Sequence, residues 1–134
     1  MTFIERCLYE YKANCAAVSA MKEELNGLSS VHAQSYEKHS INGVSDPVHE
    51  VTARVMSLEK RIANVERRTK PVEQLREDLN GSDARFQQMR ELLELKYFEH
   101  ESNSEAQRKM AVSDRTFRRR KRELLKLASR YFSV

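Results

Sequence analysis

Apolar residues recur along this chain at steps of three and four, the spacing that lines one face of a helix. Ile4, Leu8, Tyr11, Cys15, Val18, Met21, Leu25 and Leu28 predict a helix from about Phe3 to Asn26, with Asn26-Gly27 as a left-handed stop. Residues 29–46 are rich in Ser, His, Gln and Asn, and read as a mobile connection of unusual length for a compact domain. Ser45-Asp46-Pro47 then marks a helix start, with Asp46 as N-cap and Pro47 at the first helical position. Val48, Val51, Val55, Leu58, Ile62, Val65, Thr69 and Val72 continue as a heptad seam flanked by charges. Such a seam asks for a partner, either the first helix folded back or a second copy of the chain. Pro71 lacks an N–H and predicts a kink or restart near Thr69-Lys70, and Asn80-Gly81 ends the element.

The pattern then shortens. Ser82 or Asp83 caps a helix whose apolar side is Phe86, Met89, Leu92, Leu93, Tyr97 and Phe98. Residues 99–103 read as a polar turn, and Ser102 with Glu105 forms a capping box for a short helix reaching Lys109. Met110-Ala111 turns the chain, and Ser113 or Asp114 caps a last helix running to about Tyr131. Ala106, Met110, Val112, Phe117, Leu124 and Leu127 are placed to hold these last two helices together.

Composition agrees with helices throughout. Hydrophobic residues make up 40% of the chain and charged ones 33%, thin for one compact core but ordinary for long helices with narrow seams. Three glycines and two prolines argue against a turn-rich β protein. The expected fold is all-α. Residues 1–80 form a long coiled-coil-like helical hairpin with a mobile linker at 29–46, for oligomerisation or partner binding, and residues 82–134 form a C-terminal helix-turn-helix unit.

Charge locates the chemistry. Residues 104–134 carry ten Lys/Arg against three Asp/Glu, whereas residues 1–103 carry fourteen against seventeen. A basic C-terminal unit on a mildly acidic body favours a localised anion-binding face. Arg115, Arg118, Arg119, Arg120, Lys121 and Arg122 load the first turns of the last helix, where the positive dipole end makes cations costly. A polyanion is the natural compensation. In a helix-turn-helix the second helix enters the major groove and its N-terminal side chains meet base edges. Ser113, Asp114, Arg115 and Thr116 then stand at the start of the recognition helix. Arg115, Arg118, Arg119 and Arg122 are candidates for base or phosphate contact, and Lys121 for a phosphate. A solvated charged helix, a coiled-coil flank or an RNA-binding arginine-rich helix are the competing readings of the same residues.

Catalytic chemistry is not legible. No nucleophile–base pair, Gly-rich phosphate loop or carboxylate cluster stands out, so neither an enzyme nor a cofactor is expected. Cys7 and Cys15 lie eight residues apart, about 12 Å by helix rise, too far for a bridge, and read as reduced seam residues. His32, His39, His49 and His100 lack metal-ligand spacing and read as surface residues, and no metal is expected. Tyr97 and Phe98 read as core rather than as a base-stacking platform.

Val112-Ser113-Asp114-Arg115-Thr116, the basic run after it, and Leu124-Leu125 with Leu127-Ala128 resemble phage late-transcription regulators of the RinA and ArpU type. The C-terminal unit of that family is similar to the fourth conserved region of bacterial sigma factors. Tyr9 and Tyr11 on an early helix, the Ser-Asp-Pro start and the break at Lys70-Pro71 extend the resemblance along the chain. It implies an activator of late packaging, morphogenesis or lysis genes that binds double-stranded DNA, with host RNA polymerase as a further partner. The heptad seam makes a homo-oligomer, a dimer first, the expectation, and the chain reads as cytosolic, which under this resemblance is the host bacterial cytoplasm. No signal peptide, transmembrane run or lipidation signal is read. Two departures stand out: Arg120 occupies a commonly apolar position, and the short helix Asn103–Lys109 is poor in apolar residues. A small terminase-like DNA-packaging subunit and a polymerase-binding adaptor without DNA affinity are the alternatives.

Overall fold

The computed structural model describes residues 1–38, 47–81 and 83–132, with the backbone alone at 29–38 and 47–49. Over these residues the chain is helical and contains no strand. The elements are α1 (Phe3–Tyr9), α2 (Tyr11–Lys38), α3 (Pro47–Asp78), α4 (Ala84–Leu92), a π-helical segment (Leu93–Phe98), α5 (Asn103–Met110) and α6 (Asp114–Tyr131). They divide into two compact units, residues 1–14 with 68–134, and residues 15–67. The expected division into 1–80 and 82–134 is therefore displaced, because both ends of the N-terminal half join the C-terminal unit.

Several local expectations need correcting. The first helix breaks at Glu10, with φ −91° and ψ 4°. Backbone bonds from the Glu10 N–H to Arg6 and from the Asn14 N–H to Glu10, both 2.8 Å, still bridge the break. The tyrosines on either side of it have partners of their own: Tyr9 stacks on His100 at 3.7 Å and Tyr11 on Phe98 at 4.9 Å. The stop expected at Gly27 is absent. α2 runs on to Lys38, so 29–38 are helix rather than connection. A helical glycine costs only about 1 kcal/mol relative to alanine, which a continuous hydrogen-bond ladder overrides. Pro71 likewise sits inside α3 without a restart. The hydrogen bond it withholds is the one the Arg67 carbonyl would accept, and the boundary between the units falls at that residue. The expected N-cap Asp46, residues 39–45 with His39, and the alternative cap Ser82 lie outside the described residues.

In the unit of residues 15–67, Val18, Leu58 and Ile62 are buried, while Met21, Leu25, Val51, Val55 and Val65 are half-buried. Two ion pairs join α2 to α3 there, Glu24 with Arg54 at 2.6 Å and Lys22 with Glu66 at 3.2 Å.

The other unit holds the main core. Leu8 of α1, Val72 and Leu75 of α3, Leu79 just beyond it, Met89 and Leu92 of α4, Leu93 and Tyr97 of the π segment, and Leu124 of α6 are all essentially inaccessible. The π segment carries the chain from α4 to the turn before α5, and the Glu99 N–H bonds the Glu94 carbonyl five residues back at 2.8 Å. These wider turns direct Leu93, Tyr97 and Phe98 inward, which makes Tyr97 and Phe98 core, as expected. His100 follows at φ 61°, and its Nε2 meets the Tyr9 carbonyl oxygen at 2.7 Å. This exposed histidine is thus a tether for α1.

Tyr97 is a test of this packing. Its hydroxyl is buried and has no partner of good hydrogen-bond geometry among the described residues, while burial first, and the neighbouring Glu5 carboxylate second, push its pKa upward. An unsatisfied buried hydroxyl costs about 1–3 kcal/mol. Tyr97→Phe should therefore leave thermal stability unchanged or raise it. A drop in the unfolding midpoint would show that Glu5 bonds the hydroxyl after all.

Candidate nucleic-acid interface

Asn103–Met110, a three-residue connection and Asp114–Tyr131 make the basic end of the chain. Ser102 caps α5, its Oγ accepting from the Glu105 N–H at 3.1 Å. The reciprocal half of the capping box is missing, because Glu105 accepts from Arg108 at 2.8 Å instead. Ala111, at φ 55° and ψ 44°, ends α5 in the left-handed conformation that reverses the chain, and its N–H donates to the Arg108 carbonyl at 3.1 Å. Ser113, not Asp114, then caps α6. Its Oγ accepts from the Thr116 N–H at 3.1 Å and donates to Thr116 Oγ1 at 3.0 Å.

The buried side of α6 is Phe117, Leu124 and Ala128, and α5 contributes Ala106 and Met110 to the same core. At about 100° per residue, Arg115, Arg118, Arg119, Arg122, Lys126 and Arg130 fall within about 120° on the opposite side. All six are exposed. Sequence reasoning stopped at Arg122 and missed Lys126 and Arg130, although their steps of four from Arg122 were there to read.

Partners decide which cations are available. Arg118 pairs with Asp114 at 3.1 Å, but the two side chains are 75% and 63% exposed, so the pair is weak and displaceable. Arg115, Arg119, Arg122, Lys126 and Arg130 make no ion pair among the described residues. The contrast with α5 is direct, since Arg108 pairs with Glu105 and Lys109 with Glu101. Like charges at steps of three and four repel by about 0.2–0.5 kcal/mol per pair. The stripe is thus held against its own repulsion by the packing beneath it.

Two basic residues leave the stripe. Lys121 is half-buried and lies close enough to Lys96 that, after burial, it is the next cause of the lowered Lys96 pKa. Arg120 is only 15% exposed and faces α4. Its Nε donates to Gln88 Oε1 at 2.6 Å and its Nη1 to Glu123 Oε2 at 3.2 Å, while Glu123 also takes Arg85 at 3.0 Å. The cation at a position where the resemblance implies an apolar residue is therefore a polar brace between α4 and α6. Arg120→Ala should cost about 1–3 kcal/mol, the worth of hydrogen bonds to charged groups plus a stranded Gln88. It should leave the salt dependence of any DNA binding unchanged. Denaturant melts and binding titrations on one variant read both quantities.

The far end of α6 is fixed as well. The Tyr131 hydroxyl donates to Asp78 Oδ2, and Phe132 meets Phe3 edge-on at 6.2 Å. Burial, then the bond to Asp78, push the Tyr131 phenol from 10.0 up to about 12. A raised phenol pKa means this link stabilises the fold fully below pH 10 and is lost as pH climbs through about 12.

Among the described residues no group of His, Cys, Asp or Glu could hold a metal ion, and no helix is long and apolar enough to cross a membrane. Cys7 is buried and Cys15 half-buried, both as free thiols. No protein-family model matches the chain, and neither the curated proteins nor the solved structures contain a match.

Proposed function

We propose that this chain is a sequence-specific double-stranded DNA-binding protein that activates transcription. In this reading α5 and α6 form a helix-turn-helix pair and α6 is the recognition helix. The observation that carries it is the row of exposed, mostly unpaired cations along α6, beside an α5 whose cations are neutralised internally. Ser113 and Thr116 fix the start of the helix, and Arg115, Arg118, Arg119 and Arg122 supply base and phosphate contacts. Activation of late phage genes, contact with host RNA polymerase and the bacterial cytoplasm as its place rest on the sequence resemblance. The half-buried seam of Val51, Val55 and Val65 supports a helical hairpin that dimerises.

Filter retention of a random-sequence duplex tests DNA binding. Retention that falls steeply with salt is expected, and no retention at low salt overturns the reading in favour of an adaptor for an acidic protein. Light scattering then separates a dimeric regulator from a ring-forming packaging subunit. A footprint on a late promoter region reports specificity.

A further inference from the structure

The cations of α6 fall into two groups on one face. Arg115, Arg118, Arg119 and Arg122 occupy the first turns, and Lys126 and Arg130 continue the line toward the C-terminal end. From Arg115 to Arg130 the helix rises about 22 Å, nearly twice the about 12 Å width of the major groove. A recognition helix inserted only by its first turns would leave Lys126 and Arg130 with no anion to meet. Among the described residues none is supplied either: the two line a cleft of about 390 Å³ between α4 and α6, whose single acid, Glu123, is already taken by Arg85 and Arg120. The helix dipole favours cations at that end, but it does not require them to lie on the same stripe. The end is also rigid, because Leu124 and Ala128 are buried and Tyr131 is tied to Asp78.

Resting on the DNA-binding reading above, we infer that α6 bridges both backbones of a duplex. Its first four cations serve the groove and one strand, and Lys126 and Arg130 hold phosphates of the opposite strand. Each phosphate neutralised adds about 0.9 to the slope of log K against log salt. The full-length Lys126→Ala/Arg130→Ala variant, whose thermal midpoint should match the parent, is therefore expected to lose about 1.8 of that slope on a random-sequence duplex. On a duplex whose one strand carries uncharged methylphosphonate linkages, the same variant should show almost no further loss. The parent would there keep its larger group on the charged strand and already lack the second contact.

Equal losses on both duplexes would mean that all six cations follow one strand, which overturns the inference. No loss on the ordinary duplex overturns it too. If Arg118→Ala/Arg119→Ala still flattens the slope in that case, the DNA-binding reading survives. If neither pair flattens it, that reading fails as well.

Discussion

Replacing Arg118 and Arg119 together by alanine should weaken duplex binding by about 1–3 kcal/mol for each lost contact. At the lower figure that is roughly thirty-fold in affinity, since each 1.4 kcal/mol is a factor of ten. The salt slope should flatten by about 1.8 if both arginines meet phosphates. The fold should not change, since both side chains are exposed and alanine is a strong helix former. Removing two like charges from one face even relieves repulsion, so an equal or slightly higher melting temperature is expected beside the weaker binding. Arg118 must first give up Asp114, but that pair is solvent-exposed and offers little resistance. Titrations across a salt series, with thermal melts of the same samples, read both effects. An unchanged affinity and slope would remove the assignment of α6 as the DNA-binding helix.

Phe117→Ala should have the opposite profile. The ring is 3% exposed and lies under the leading turns of the cationic stripe. Truncating a buried phenylalanine costs about 3–5 kcal/mol through lost transfer energy and the cavity left behind. Against the 5–15 kcal/mol that separates folded from unfolded for an ordinary domain, this is a large fraction of the whole. The expected result is a strongly lowered urea midpoint, with DNA binding falling in step with the folded fraction and the salt slope of the folded protein retained. A loss below 1 kcal/mol would mean that α6 is not anchored by its buried face, and that the stripe is not held rigid.

Much of the fold was legible because it depends on neighbours in sequence. The step of three and four residues marked the long helices, though not the break at Glu10, and Asp83, Ser102 and Ser113 acted as caps because an N-cap bond closes within three residues. The basic helix ends at Tyr131, as its pattern implied. Punctuation by single residues was less dependable. Gly27 was read as a stop and Pro71 as a kink or restart, yet α2 runs through the first and α3 does not restart at the second.

The sequence by itself determined that the chain is helical, where most helices start, and that its last helix is loaded with cations. Only the tertiary structure decided which cations remain available: Arg120 turned inward to Gln88 and Glu123, Lys121 moved beside Lys96, and Lys126 and Arg130 joined the exposed row. It also decided that α1 and the end of α3 belong with the C-terminal unit, through Tyr9 on His100, Tyr11 on Phe98 and Asp78 on Tyr131. The reason is physical. Helix formation is settled by bonds three to five residues long, so local sequence carries it. The pairing of one apolar face with another, and of a cation with a distant acid, joins residues tens of positions apart, and the periodicity of one segment holds no information about which other segment it will meet.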